Sequence, residues 1–386
     1  MPLSQPPCHY CLATDHVLSV DKDENEILDS LRQNIEMGAA NNNEIAVYAC
    51  YRPLYTLKNA ATLSAKGIED VMKAQIGEYL ALQETRKSIV SLTEIEDATS
   101  RRVREQYEEF PYPRWKTLPV FDPEDKSGLV AYGDKKDFLA KPGLQILLAG
   151  CGTGQEPLAL ARAFPQAEIL AVDLSTSSLA YAVRKAAEYK ISNVMFRQGD
   201  ILQLGKLNRT FDCIFSSGVL HHMQDPMKGW RVLCDLLKPG GQMRIALYSM
   251  HARRHILTAR EVIAREGYGV DADSMRSFRR KSTHLLDVET LANLRGFNDY
   301  YSLPMYRDLL FHVQEENIDI PELAKRLETL DLIFDGFSID DVQIVRNYLS
   351  LYPDDKQALS FERWDVVEKK YPDTFRSMYQ FWCRKR

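Results

Sequence analysis

The feature that most constrains the fold is a series of short apolar runs that alternate with helix-like segments between residues 143 and 249. The runs are nearly continuous in apolar residues, which is typical of strands buried on both faces of a parallel sheet. Strands that alternate with helices predict an α/β fold with a doubly wound parallel sheet. The runs read LQILLAG, AEILAVDLS, FDCIFSSGVL and GQMRIALYS.

Helical patterns flank this sheet region on both sides. ENEILDSLRQNIEM and IEDVMKAQIGEYLALQETRKSIVSL, within residues 24–100, carry apolar residues at three-to-four spacing, and residues 251–330 are again helical. A joint rich in proline and aromatic residues at 107–125 cannot continue a helix. Late strands are expected at 330–339 and 375–386.

This pattern divides the chain into two predicted domains. The first is an N-terminal helical accessory domain at 1–105, and the second runs from 106 to 386. The second domain should contain a helical insertion at about 251–329, which we expect to act as a lid over the site.

Composition indicates which kinds of partner and which cellular compartment to expect. The chain has 386 residues and a net charge of −5, so nucleic acid is not an expected partner. No apolar run reaches the roughly 18 residues of a membrane span, and the first residues lack the layout of a signal peptide. The seven scattered cysteines favour reduced thiols over a disulfide framework. We therefore expect a cytoplasmic protein without a membrane segment, and the oligomeric state is left open.

The stretch LLAGCGTGQE, residues 147–156, places glycines at alternate positions, Gly150, Gly152 and Gly154. A strand that ends in glycines lets a ligand approach the backbone, because no Cβ intervenes. A dinucleotide fingerprint would place its third glycine at position 155, where this chain has Gln155. The spacing therefore disfavours a dinucleotide.

Acidic residues follow at two further predicted strand ends. Asp173 ends the second strand, where a carboxylate can accept both hydroxyls of a ribose. The alternative is that Asp173 or Ser175 caps the next helix. Asp200, in RQGDI, is suited to accept a hydrogen bond from an adenine amino group, and the alternative is a turn residue after Gly199.

Together with FDCIFSSGVLHHM at 211–223 and LLKPGGQMRIALYS at 236–249, these motifs resemble class I S-adenosylmethionine-dependent methyltransferases over about 140–250. The resemblance implies a Rossmann-like sheet and S-adenosylmethionine as the cofactor. One departure is Leu148, where many members carry an acidic residue that orients the amino group of the cofactor. The implied cofactor-binding residues are Gly150, Cys151, Gly152, Gly154, Asp173, Leu174, Asp200, Ile201 and Ser217.

A narrower resemblance covers nearly the whole chain. SLTEIEDATSRRVREQYEEFPYPRW, YYSLPMYRDLLFHVQEENIDIPEL and MYQFWCRKR look like bacterial methyltransferases that are often fused to tetratricopeptide repeats, which are absent here. The resemblance implies methyl transfer from S-adenosylmethionine without naming a substrate. A small-molecule acceptor is the expected partner, because a helical lid encloses its ligand. A protein side chain and a catalytically silent S-adenosylmethionine-binding scaffold are the alternatives.

Two histidines and part of the joint are the nearest candidates for acceptor chemistry. His221 and His222 lie where the fourth strand should open onto the acceptor, so one of them is a candidate general base. The alternative is that they cap the strand or contact the cofactor. Aromatic residues of the joint are suited to pack on the sulfonium, whereas the alternative is a linker packed in the core. The joint candidates are Tyr107, Tyr112, Arg114 and Trp115.

The insertion supplies the remaining substrate candidates, Tyr301 and Arg307. An arginine beside aromatic residues on a helix is suited to a partly apolar anion. The alternative is a buried structural arginine paired with Glu315 or Glu316. The basic stretches at 251–260 and 276–281 would draw in an anion or form solvated helix faces.

No metal site is expected. CHYC at 8–11 supplies only two thiolates, and the sequence contains no second pair at zinc-ligand spacing.

Overall fold

A computed structural model describes the protein over residues 16–113, 115–119, 135–339 and 341–386. The described residues form two compact units. A helical unit comprises residues 16–87 and His255–His312, and a sheet unit comprises Ser88–Arg254 and Val313–Arg386. Most of the predicted insertion therefore groups with the N-terminal helices. The predicted boundary at residues 105 and 106 differs from the divisions between these units. The two predicted domains remain a prediction about which parts of the chain fold independently.

A seven-stranded sheet forms the centre of the sheet unit, in the order β3-β2-β1-β4-β5-β7-β6. The first five strands are parallel, which confirms the predicted doubly wound α/β fold. Both late strands are present, but β7 runs antiparallel to its neighbours β5 and β6. The strands are β1 (Gln145–Ala149), β2 (Glu168–Asp173), β3 (Val194–Gln198), β4 (Phe211–Ser217), β5 (Leu237–Tyr248), β6 (Leu332–Phe337) and β7 (Met378–Lys385).

The apolar runs are continuous because both faces of the central strands are covered. In β1, Ile146 and Leu148 belong to one hydrophobic cluster, while Leu147 and Ala149 belong to another. Successive side chains of a strand point to opposite faces, so each cluster takes alternate residues. The same division in β2 shows that the sheet has a core on each side.

Sixteen α-helices lie in the described residues, numbered here in chain order. They are α1 (Lys22–Glu36), α2 (Asn42–Tyr51), α3 (Glu69–Met72), α4 (Glu78–Lys87), α5 (Ala98–Glu109), α6 (Lys136–Leu139), α7 (Gln155–Ala163), α8 (Thr176–Glu188), α9 (Pro226–Leu236), α10 (Arg254–Arg265), α11 (Ala272–Leu285), α12 (Val288–Arg295), α13 (Leu303–Phe311), α14 (Ile320–Thr329), α15 (Val342–Leu351) and α16 (Phe361–Lys370). Of the described helices, none has both the length and the apolar character needed to cross a membrane.

The first helices of the helical unit begin at sequence-encoded caps. Asp21 and Glu24 form a reciprocal capping box at the start of α1, and Asn41 and Glu44 form another at the start of α2. Their apolar faces meet in a cluster that includes Leu28.

The helix predicted to continue through SIVSL is too long. It ends at Lys87, and Leu92 N–H then donates to Gln198 O at 2.8 Å, while Gln198 N–H donates to Val90 O at 2.9 Å. The branched side chains of Ile89 and Val90 suit extended backbone. Pairing with β3, rather than local helical spacing, decides the conformation here.

Candidate cofactor site

The glycine turn closes β1 and opens α7 at the carboxyl end of the parallel sheet. Gly150, Gly152 and Gly154 have φ angles of 82°, 51° and 85°, a region that favours glycine. Gly150 N–H donates to Val172 O at 2.8 Å, which holds the turn against the end of β2. Open α/β sheets bind ligands at this edge.

The absent side chains of this turn also make room for the chain itself. A Cβ on Gly150 would lie 2.3 Å from a methyl carbon of Val219. A Cβ on Gly152 would lie 2.9 Å from the backbone oxygen of Tyr112, in the joint. Gly152 is therefore required by close packing of the joint, in addition to any ligand that approaches the turn.

Asp173 connects the ends of β1 and β2. Its Oδ2 accepts from Gly152 N–H at 2.7 Å and its Oδ1 accepts from Ser175 N–H at 2.9 Å. The cap of α8 is Ser175, whose hydroxyl accepts from Ser178 N–H at 3.0 Å. Each Asp173 oxygen keeps a further lone pair for a ligand hydroxyl. Burial raises the pKa of Asp173 to about 6, and the Glu108 carboxylate acts in the same direction.

Asp200 follows β3, and the preceding Gly199 N–H donates to Asp173 O at 3.0 Å, which holds this segment beside the end of β2. Asp200 Oδ1 accepts from Leu202 N–H at 3.0 Å and caps the short helix Ile201–Leu207, as the turn alternative proposed. Its Oδ2 is buried and has no hydrogen-bond partner among the described residues. Burial raises the pKa of this carboxyl, while the Leu202 N–H and the Ser100 side chain act in the opposite direction. The cap and a ligand contact are compatible, because they use different oxygens.

The joint packs against the glycine turn through its backbone and one indole. The Ser175 hydroxyl donates to Tyr107 O at 3.0 Å, and the Thr153 hydroxyl donates to Pro113 O. The Trp115 indole N–H donates in turn to Thr153 O at 3.2 Å. The joint therefore forms a wall beside the turn.

Trp115 itself is a packing residue. It is 6% exposed and its ring lies 5.9 Å from that of Tyr181 and 6.1 Å from that of Tyr189. These contacts support the core-linker alternative for Trp115. Tyr107 and Tyr112 are half-buried, and Arg114 lies outside the described residues.

Glu108, which the sequence analysis did not select, fixes this wall to α8. Its carboxylate accepts from the N–H and hydroxyl of Thr176, at 2.7 and 2.8 Å, and from those of Ser177, at 3.1 and 2.6 Å. A carboxylate at a helix N-terminus is favoured by the helix dipole. No local pattern indicates this contact, because its partners are 68 and 69 residues away.

The histidines of the fourth strand end are both buried. The His221 ring stacks on Tyr248 with centroids 3.7 Å apart, and the Arg253 guanidinium lies 3.5 Å from the centroid of the same tyrosine. At these distances the two groups must occupy opposite faces of the ring. His222 Nδ1 is 2.7 Å from Gln314 O. These contacts favour the packing alternative, while a base role for His221 or His222 stays a prediction.

The arginines at the start of the basic stretch 251–260 are already engaged. Arg253 makes a bidentate pair with Glu315, at 3.1 and 2.9 Å, and both side chains are buried. Arg254 pairs with Asp373 at 2.7 Å. These two arginines therefore do not supply uncompensated positive charge for an anionic acceptor.

Comparison with known proteins decides what the domain is. The family described as a methyltransferase domain matches residues 140–276, which contain the glycine turn, Asp173 and Asp200.

Residues 140–276 belong to a methyltransferase-domain family.

Two curated relatives match part of this chain, and one of them is named a methyltransferase. A trans-aconitate 2-methyltransferase of Deinococcus radiodurans is 35% identical over 121 residues, covering 31% of this chain and 44% of the relative. An uncharacterized protein of Synechococcus is 30% identical over 208 residues, covering 51% and 49%. The chain thus spans about half the length of the curated relatives it matches.

A solved structure shares the fold. PKMT2 of Rickettsia typhi superposes with a TM-score of 0.50 at 16% identity, covering 69% of this chain and 55% of that one. This likeness supports the predicted doubly wound α/β fold.

The site residues fit S-adenosylmethionine, the cofactor that the sequence motifs imply. The backbone of Gly150 and Gly152 is half-buried at the end of β1, and Asp173 keeps lone pairs for ribose hydroxyls. Asp200 keeps a buried oxygen for an amino donor.

The other predicted cofactor residues lie in the same region with different roles. The Leu174 carbonyl accepts from Gln198 Nε2 at 3.0 Å, and Ile201 is buried in the core. The Ser217 hydroxyl lies 3.4 Å from a Glu156 carboxylate oxygen. Burial raises the pKa of the Cys151 thiol, which keeps it in the neutral form.

Both substrate candidates of the insertion lie in the helical unit. Arg307 is buried in α13, whereas Tyr301 is 45% exposed and its hydroxyl donates to Arg295 O at 3.1 Å. Glu315 pairs with Arg253 and Glu316 pairs with Arg326, while a structural pairing of Arg307 with either glutamate stays a prediction. A substrate role for Tyr301 and Arg307 stays a prediction.

Proposed function

We propose that the chain transfers a methyl group from S-adenosylmethionine to a small-molecule acceptor. The observation that carries the proposal is the hydrogen bond between Gly152 N–H and Asp173, within the matched methyltransferase domain. This bond fixes a carboxylate beside the half-buried glycine turn, at the ends of β1 and β2. A ribose bound there would be held by a charged acceptor whose position is set by the turn.

The chemistry demands positioning more than acid–base catalysis. When bound, the cofactor supplies a methyl group already activated on a sulfonium. The protein must therefore align the acceptor with that methyl and exclude water. Asp173 and Asp200 would orient the nucleoside, and the joint fixed by Glu108 would form one wall. A general base is needed only if the acceptor arrives protonated, and His221 and His222 are the candidates.

The named relatives favour a small acceptor. One matched relative is a trans-aconitate 2-methyltransferase, and another is a phosphoethanolamine N-methyltransferase of Caenorhabditis elegans, 26% identical over 177 residues. Both names specify small molecules. The shared region covers less than half of each of these relatives.

Two experiments test the proposal: calorimetry measures ligand binding, and labelling then measures methyl transfer. S-adenosylhomocysteine should bind the wild-type protein, and Asp173→Ala should weaken binding at least about tenfold, the loss expected for one charge-assisted bond. Protein incubated with methyl-labelled cofactor and a cell extract should then label the small-molecule fraction. Label confined to protein would favour a side-chain acceptor. Binding without any label transfer would favour a silent scaffold and contradict the proposal.

A further inference from the structure

A short edge segment, residues 90–93, extends the sheet beside the candidate nucleoside site. Ser91 pairs in parallel with Gln198, the last residue of β3. The pairing is made by the Leu92 N–H bond to Gln198 O and the Gln198 N–H bond to Val90 O. The segment is therefore held in register with the strand that leads into Asp200.

Thr93 ends the edge segment and contacts the next turn directly. Its hydroxyl oxygen accepts from Asp200 N–H at 2.8 Å. The Ser91 hydroxyl donates to Thr93 O at 2.8 Å, which fixes the backbone that carries Thr93. The peptide between Gly199 and Asp200 is thus oriented by a side chain more than 100 residues earlier in the chain.

One oxygen of the Asp200 carboxylate has no hydrogen-bond partner among the described residues. Asp200 is 2% exposed, and Leu202 N–H uses Oδ1 while Oδ2 has no hydrogen-bond partner among the described residues. A buried acceptor without a donor is unfavourable, so a ligand donor that reaches it gains selectivity as well as affinity.

We propose that Thr93 is a positioning residue that sets the nucleobase selectivity of this site. By accepting from Asp200 N–H, it fixes the direction of the carboxylate and aims Oδ2 at an amino group of the base. The site would then prefer a base that carries an exocyclic amine over one that carries a carbonyl there. The inference rests on the proposed function, because it assumes that the cofactor nucleoside binds beside Asp200.

The test compares two ligands on two variants by calorimetry. The ligands are S-adenosylhomocysteine and S-inosylhomocysteine, whose base carries a carbonyl in place of the amine. Thr93→Val keeps the shape of the side chain but removes the hydroxyl acceptor. We expect it to weaken the binding of S-adenosylhomocysteine about tenfold and that of S-inosylhomocysteine less than threefold. Thr93→Ser should bind both ligands like wild type.

A matched control separates selectivity from stability. Thr374 is buried in the same unit and its hydroxyl donates to Tyr371 O at 2.6 Å, so Thr374→Val loses a comparable bond. It should lower the melting temperature without changing the ratio of the two affinities. The proposal would be overturned if Thr93→Val weakened the binding of both ligands equally. It would also be overturned if Thr93→Ser weakened binding in the same way as Thr93→Val.

Hydrogen exchange distinguishes this proposal from the function on which it rests. Without ligand, the Asp200 amide should exchange faster in Thr93→Val than in wild type, because its acceptor is gone. If wild type binds neither ligand, the proposed function fails, whatever the exchange shows. If wild type prefers the adenine ligand and Thr93→Val keeps that preference, only the role of Thr93 fails.

Discussion

The backbone N–H of Gly152 donates a 2.7 Å hydrogen bond to the carboxylate of Asp173, 21 residues further along the chain. The bond joins the turn after β1 to the end of β2, so the two strongest sequence candidates form one structural feature. A substitution at Gly152 or Asp173 should therefore disturb the position of the other residue.

Asp173→Asn tests the charge of this pair. Because the pKa of Asp173 is raised to about 6, the carboxylate ionises as pH rises through that value. Ribose hydroxyls donate more strongly to the ionised form, so wild-type affinity for S-adenosylhomocysteine should rise between about pH 5 and 7 and then level off. Asp173→Asn should bind more weakly and lose this rise. A wild-type affinity that does not change over this range would contradict the ribose assignment.

Gly152→Ala should disturb the joint as well as the ligand. The added Cβ would meet Tyr112 O at 2.9 Å, and the φ of 51° adds backbone strain. We expect a lower melting temperature together with weaker S-adenosylhomocysteine binding. Gly143→Ala is the matched control, because Gly143 has a φ of 70° but no atom within 4 Å of its Cβ position. It should retain ligand affinity; equal loss in both variants would assign the effect to φ alone.

Glu108→Gln removes the charge that fixes the joint to α8. The variant should lose helix-dipole stabilisation of up to about 2 kcal/mol and melt at a lower temperature. Since the Glu108 carboxylate helps to raise the pKa of Asp173, the pH midpoint of ligand binding should also move down. Glu109→Gln, at the exposed neighbouring position, should leave that midpoint in place. If the pH midpoint of ligand binding did not change in Glu108→Gln, the Glu108 carboxylate would not influence Asp173 at the ribose site.

Glu368 should make stability depend on pH. It is fully buried and accepts from the hydroxyls of Ser249, at 2.6 Å, and Tyr379, at 2.7 Å, and burial raises its pKa to about 7. The folded state therefore keeps a proton that the unfolded state releases, so this group lowers the free energy of unfolding as pH rises from about 4.5 to 7.

Glu368→Gln should remove that slope, because an amide can accept from one hydroxyl and donate to the other. Urea unfolding of both proteins at about pH 5, 6, 7 and 8 measures the difference. Glu328→Gln, on the exposed side of α14, should keep the wild-type slope. Parallel curves for wild type and Glu368→Gln would show that Glu368 does not titrate in this range.

Arg307→Ala tests the substrate candidate of the helical unit. Arg307 lies on α13, outside the unit that contains the glycine turn, so affinity for S-adenosylhomocysteine should stay within about threefold, a change below 1 kcal/mol. Turnover should be lost once an acceptor is identified. Arg265→Ala, an exposed arginine on α10, is the control for stability. A much larger fall in melting temperature for Arg307→Ala than for Arg265→Ala would make Arg307 structural.

The sequence by itself determined the sheet, the glycine turn and the two acidic strand ends. These features are local, since apolar runs such as QILLA must be buried on both faces and Gly150 requires positive φ. Motif order then indicated the methyltransferase domain that residues 140–276 form. Even the late strands could be predicted, although their antiparallel direction could not.

Only the tertiary structure decided which groups support those motifs. Glu108 reaches α8 across 68 residues and Thr93 reaches Asp200 across 107, and neither contact leaves a periodic trace in the sequence. The same holds for the pairing that ends α4 at Lys87, where a strand partner outweighs helical spacing. Periodicity records which side of an element is buried, whereas hydrogen bonds between distant segments depend on where the folded chain places them.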